Sequence, residues 1–301
     1  MKQIITLSLL FLALITKAQP VFTSSPDSAV LHTEDVKLFW SVFDSNQPAL
    51  KGNAFQAQYL EAGSDGLTAF IPNRIESGKN LSKVVRENRA YYEGIRESTF
   101  SIEAIKSTIT THYKKFKVLY PAATFPDVYF VIGAKNTGGM AFKGGLAIGA
   151  EMFGKADGKI IPRLDIELID DVVIHELIHF QQHYVADNSL LAQSIREGSA
   201  DFLCELVTGT HANQNIYQYG NAHEQALWNE FKLRMDKNDW TGWLYYQRDK
   251  SRPKDLGYWM GYKITKAYYD NAADKSKAIS DILTIQDFKK FLTDSGYAGL
   301  P

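Results

Sequence analysis

The sequence predicts an α+β fold, a mostly helical body with one small mixed sheet. Three observations predict it. Apolar residues recur at helical spacing over much of the chain. One β-branched and aromatic run, Asp-Val-Tyr-Phe-Val-Ile at residues 127–132, is bounded by Pro126 and Gly133 and reads as a strand. A second short apolar run, Leu146, Ala147 and Ile148, follows a glycine-rich stretch and reads as another. With 301 residues, 45% of them hydrophobic, the chain can bury a large core. It is expected to form a single domain over residues 19–301, or two lobes facing each other across a cleft (about 19–185 and 186–301).

Taken in order, the first segment reads as an address. Lys2 supplies a short positive start, and residues 4–15 are almost wholly apolar, short for a bilayer span but suited to a signal-peptide core. Thr16 and Ala18 put small residues at the −3 and −1 positions of a cut after Ala18. Residues 1–18 are therefore expected to be a signal peptide. The mature chain, from Gln19, is expected to be exported, periplasmic or secreted, with no integral membrane span after signal removal. No Cys follows the apolar run, so lipid attachment is not expected. Residues 19–32, with Pro20 and Pro26, read as a loose leader.

Helical spacing begins at residues 33–47 and returns over 82–117. There Ile95, Phe100, Ile102, Ile105, Ile109, Tyr113 and Phe116 suggest one buried stripe. Pro121 and Pro126 end that pattern ahead of the first strand. Gly138, Gly139, Gly144 and Gly145 mark a hairpin turn before the second. They lack the Gly-x-x-x-x-Gly-Lys-Ser/Thr order of a phosphate cradle. From Asp165 onward the pattern is mostly helical.

Composition removes several classes of function. Lys+Arg number 33 against 34 Asp+Glu, and no run of basic residues breaks that balance, so nucleic acid is not an expected partner. The single Cys, Cys204, excludes an intramolecular disulfide framework and any Cys-based zinc or iron–sulfur site. Flanked by Leu203 and Leu206, it reads as a small buried side chain.

The chemistry gathers near the middle of the chain. His175-Glu176-Leu177-Ile178-His179 is an H-E-x-x-H motif within an apolar helical pattern. Residues four apart on a helix lie about 40° apart around its axis, so both imidazoles leave from one face and can hold one Zn²⁺. Glu176, rotated by about 100°, is free to accept a proton from water. A catalytic zinc takes three protein ligands and keeps one position open, so the third ligand must come from another element. Glu197, 18 positions after His179, is the leading candidate, with a turn at Asn188-Ser189 leading into a second helix. Asp201 falls one turn later on the same side, where it could accept the second ring N–H of a zinc-bound His. Glu205 remains a fallback. His183 is rotated away, and His211 and His223 lie on later segments. The Asp170-Asp171 pair is expected near the helix N-terminus.

His175 to His179 together with Glu197-Gly-Ser-Ala-Asp201 resembles the gluzincin metallopeptidases, which pair H-E-x-x-H with a later E-x-x-x-D. More narrowly, the chain is similar to a bacterial family of predicted zinc-dependent peptidases that includes relatives of gliding-motility lipoproteins. The matching pieces are residues 128–133, 175–182, 196–202 and 256–262, covering much of 120–270. The chain departs from the lipoproteins in lacking their lipid-bearing Cys.

The resemblance implies a metallopeptidase-like domain with its small sheet beside the motif helix and one Zn²⁺ per chain. Peptide-bond hydrolysis would proceed by a zinc-activated water with Glu176 as general base. It implies an oxyanion stabiliser from a downstream element, for which Tyr258 and Tyr262 are the candidates, followed by His223. It also implies an edge strand that pairs with an extended substrate, for which Leu146, Ala147 and Ile148 are the candidates. The partner is then a peptide or protein substrate. The alternative is a non-catalytic, zinc-binding envelope or gliding-related interaction protein that keeps the same fold. A hydrolase of non-peptide amides is a third reading. Nothing in the pattern indicates oligomeric state.

Overall fold

The computed structural model describes residues 22–155, 163–246 and 250–299. The expected signal peptide and the cut after Ala18 lie outside the described residues. The fold is α+β, mostly helical, with a small mixed sheet.

The first half is a helical layer laid against that sheet. Strand β1 (Leu31–His32) leads into helix α1 (Glu34–Ser45), which buries Val36, Phe39, Trp40 and Phe43 along one stripe. Phe39 is the centre of an aromatic cluster, with Trp40, Phe55, Tyr59 and Tyr92 around it. Short helices α2 (Gly52–Phe55) and α3 (Asp65–Phe70) follow, then α4 (Gly78–Glu87), α5 (Arg89–Thr99) and α6 (Lys106–Leu119). Ser64 and Ser77 accept hydrogen bonds from the first turns of α3 and α4, satisfying backbone donors that have no partner within the helix. Of the expected stripe, Phe100 is the exception, at 42% exposed. Residues 100–105 wind as a 3₁₀ helix. Three residues per turn rather than 3.6 shift the phase and turn Phe100 to solvent.

Strands β2 (Val128–Val131), β3 (Gly139–Phe142) and β4 (Gly145–Gly149) complete a four-stranded sheet in the order β1-β2-β4-β3. β2 runs parallel to both β1 and β4, and β3 is antiparallel to β4. Two expectations change here. The glycine-rich stretch is not all turn: residues 139–142 are themselves a strand, and only Lys143 and Gly144 connect it to β4. And Leu146, Ala147 and Ile148 do not form an edge. β4 is paired on both sides and wholly buried, so its backbone groups are spent on β2 and β3. The edges are β1 and β3, and β3 is the edge that α7 packs against.

A small ribbon, β5 (Gly154–Lys155) and β6 (Arg163–Leu164), precedes α7 (Ile166–Gln181), which packs beneath β3 and β4. Then come α8 (Leu190–Thr208), α9 (Gln214–Ala222), α10 (Glu224–Phe231), α11 (Leu256–Asn271), α12 (Lys275–Leu283) and α13 (Phe288–Ser295). α7 is covered almost all round, with residues 169–178 all buried. Its N-cap is Asp165, which accepts from the Leu168 N–H. Asp170 and Asp171 sit a turn further in, where the backbone N–H groups are already bonded. They turn sideways instead, Asp170 to His112 at 2.8 Å and Asp171 to Thr208. α8 starts at the expected turn, capped by Ser189, and ends at Gly209 with φ +92°. The buried apolar side chains form one cluster from Leu31 to Phe291. Among the described residues, no helix is long and apolar enough to cross a membrane.

One buried acid lies away from the motif. Glu151, just after β4, accepts from the Lys135 N–H at 3.0 Å, and burial pushes its pKa from the ordinary 4.5 up to about 7. Its carboxyl therefore holds a proton in the folded chain that the unfolded chain releases near pH 4.5. Stability is fully present below that pH and is lost as pH rises through about 7, by about 3 kcal/mol. Glu151→Gln keeps the acceptor and cannot ionise. Thermal melts at pH 5 and pH 8 are expected to differ less for this variant than for the wild type; an equal difference would remove Glu151 as the cause.

Candidate metal and hydrolytic site

α7 carries His175 and His179 one turn apart, with ring centroids 4.6 Å from each other. α8 packs across α7 and brings Glu197 to them. Glu197 Oε2 lies 3.1 Å from His179 Nε2 and 3.5 Å from His175 Nε2. One ligand atom from each of the three lies within 4.8 Å of the others, the one such group found among the described residues.

Each ring is aimed by a partner on its far side. His175 Nδ1 is 2.8 Å from Asp201 Oδ1. Asp201 is itself fixed: its Oδ2 accepts from Tyr217 at 2.9 Å and from Asn213 at 2.8 Å. His179 Nδ1 is 2.8 Å from Gln182 Oε1. The Gln182 amide donates to the Arg196 carbonyl at 2.8 Å and to Ser199 Oγ at 3.0 Å, so its oxygen is the atom that faces the ring. Both imidazoles thus donate through Nδ1, and in the neutral form both Nε2 lone pairs point at the Glu197 carboxylate. Three electron-pair donors meeting in a buried place are satisfied either by a proton shared between them or by a metal ion. Two imidazoles and a carboxylate fit Zn²⁺, which takes such ligands at about 2.0–2.2 Å.

The electrostatics agree. Burial opposes protonation of His175 and His179, yet Asp201 and Glu197 outweigh it for His175, and Glu197 for His179, so both pKa values rise. Burial likewise opposes ionisation of Glu197, but the His179 charge and the hydrogen bonds of both rings hold its carboxyl well below the usual range. The cluster draws positive charge to one point, and a metal ion there would replace shared protons.

Glu176 leaves α7 on another side and faces β3. The Ala141 N–H donates to its carboxylate, while burial raises its pKa against the opposing charges of His179 and His175. Gly139 makes the room: a Cβ there would sit 2.7 Å from Glu176 Cγ and 2.8 Å from Oε1. The Gly149 N–H donates to the Gly138 carbonyl. Bonded pairs alternate along an antiparallel ladder, so the N–H and C=O groups of Gly139 and Ala141 point outward from the sheet, beside Glu176.

A family model described as "Predicted Zn-dependent protease (DUF2268)" matches residues 107–288, more than half of the chain. The chain belongs to that family. A search of the curated proteins and of the solved structures found no match. The DUF2268 match takes in every element that builds the site, from β2 through α11, and leaves out the aromatic cluster around Phe39.

The remaining candidates divide. Tyr258, on α11, stacks near the His175 ring at 6.0 Å, and its hydroxyl is next to Glu197. Tyr262 does not reach the three residues. One turn along α11, its hydroxyl donates to Glu205 and its ring packs on Phe202 and Tyr217, so both it and the fallback Glu205 are engaged elsewhere. His183 lies beyond the end of α7, with its N–H on the Leu283 carbonyl. His211 is buried 3.8 Å from Asp201 Oδ2, and His223 is exposed. Cys204 is buried, its thiol on the Asp171 carbonyl. Sequence reasoning missed Tyr245, whose hydroxyl donates to Glu197 Oε1 at 2.5 Å, and the roles of Gln182, Asn213 and Tyr217.

Proposed function

We propose that this protein is an exported zinc-dependent peptidase of gluzincin type. His175, His179 and Glu197 hold one Zn²⁺, Asp201 orients His175, and Glu176 is the general base. The observation that carries the reading is the convergence of two Nε2 atoms and one carboxylate oxygen beside a separate, buried carboxylate that faces an open strand edge. When bound, the ion supplies Lewis acidity to the scissile carbonyl and acidifies the attacking water. Glu176 takes the water proton and returns it to the leaving amine. The outward N–H and C=O of Gly139 and the outward C=O of Ala141 pair with an extended peptide, as strand addition does elsewhere, and hold it over Glu176. Tyr258 is the hydroxyl donor near enough to meet a developing oxyanion. Export rests on residues 1–18 alone. A structural zinc protein would leave Glu176 and the open edge of β3 without a task.

Purified protein is expected to carry about one zinc per chain and to cleave members of a peptide library. Both properties should disappear on dialysis against a chelator and return with added zinc, and His175→Ala should have neither. Cleavage that continues at full rate after the metal is stripped would end the reading.

A further inference from the structure

A carboxylate can offer a metal one oxygen or two, and its terminal torsion is soft enough to allow either. We propose that Tyr245 is a positioning residue that holds Glu197 to one-oxygen ligation; this rests on Glu197 being a zinc ligand. The two oxygens of Glu197 have different neighbours. Oε2 faces His179 Nε2 at 3.1 Å and His175 Nε2 at 3.5 Å, whereas Oε1 accepts the Tyr245 hydroxyl at 2.5 Å. A hydroxyl on an ionised carboxylate is a strong, short hydrogen bond, and the oxygen that receives it is a poorer partner for a cation.

Tyr245 is built to stay there. It lies on the connection between α10 and α11 with φ +58°, in the left-handed region that non-glycine residues seldom adopt. Its N–H donates to Asp255 Oδ1 at 2.6 Å, tying it to the start of α11. Its ring meets Trp240 edge-on at 5.9 Å, and Trp240 Nε1 donates to the Asn188 carbonyl at 2.8 Å, tying the same segment to the turn before α8. The hydroxyl is thus braced from the starts of both α8, which carries Glu197, and α11, which carries Tyr258. The residue is 42% exposed, so removing the oxygen alone disturbs little packing. Tyr258 also lies beside Glu197, but it stands on the α11 helix against His175.

The test is zinc affinity of the full chain, measured by competition with a chelator, for wild type, Tyr245→Phe and His175→Ala. Tyr245→Phe is expected to bind zinc roughly 10–100-fold more weakly, because Glu197 is no longer held in place ahead of the ion and its ordering is lost from the binding, the usual loss when an outer partner of a ligand is removed. Its kcat at saturating zinc should stay within a few-fold of wild type, and melting of the metal-free chain should fall by no more than a few degrees, the loss of one hydrogen bond to a charged group. Loaded with Co²⁺, the variant should show an altered visible spectrum as the second oxygen joins the coordination sphere. Unchanged zinc affinity, with or without a fall in kcat, would overturn the proposal; a fall in kcat alone would make Tyr245 a group that acts on the reacting atoms. If His175→Ala binds zinc as tightly as wild type, the failure lies in the ligand assignment and not in Tyr245.

Discussion

Glu176→Gln is expected to keep its zinc and to lose hydrolysis by roughly 10²–10⁴ in kcat, the range that a positioned acid–base group supplies. The geometry separates the two properties. Glu176 is the residue after His175 and leaves α7 about 100° around the axis from it, so it turns from the face that carries both imidazoles. Its carboxylate meets the Ala141 N–H instead. Glutamine has the same shape and fits the space that Gly139 leaves free, where even a Cβ would stand 2.7 Å from the Glu176 Cγ. Its amide oxygen accepts the same N–H. It cannot take a proton from water, and that is the difference the rate should report. Metal content and kcat, measured on the same preparations, decide the matter. Loss of zinc would make Glu176 a ligand, and an unchanged kcat would mean that some other group is the base.

How much of this was legible in the sequence depended on whether the signal was local. His175 and His179 share a face by helical geometry alone, and Glu197 with Asp201 needed only a turn of the right length between two helices. Ser189 capping α8 met that expectation. Strand order is not local, and there the reading of Leu146, Ala147 and Ile148 as an edge failed. A run apolar on both faces is what an interior strand requires, so part of the correction was available in those three residues. β3 hid within a glycine-rich stretch, because Gly139 is required by Glu176 across the interface and not by a turn. Tyr258 and Tyr262 were indistinguishable by spacing, being one turn apart; which of them meets Glu197 and which meets Glu205 follows from how α11 lies on α8. Tyr245 gave no signal at all. It is one of 16 tyrosines, on an irregular segment, and reaches Glu197 across 48 residues of chain.

Gly261→Ala should be the most destructive small substitution in the second half of the chain. In an open helix the same change stabilises, by up to about 1 kcal/mol, because glycine is a poor helix former. Here α8 and α11 cross with backbone against backbone. A Cβ on Gly261 would land on the Ser194 carbonyl, and one on Gly198 would land on the Tyr262 N–H. Ser194 and Gly198 are four apart on α8, as Gly257 and Gly261 are on α11, so each helix presents two small residues on one stripe to the other. Neither backbone can step aside as a flexible side chain would, so the helices must separate. Overpacking of this kind costs about 1–3 kcal/mol and sometimes more, which exceeds the propensity gain. The displacement would also reach the site, since Glu197 adjoins Gly198 and Tyr258 lies on the displaced helix. Gly261→Ala is therefore expected to melt roughly 2–5 °C lower. It should also retain zinc less well, whereas Glu176→Gln should do neither. A Gly261→Ala protein that melts higher than wild type would mean that helix propensity governs this position, and that the two helices do not cross as closely as their glycines allow.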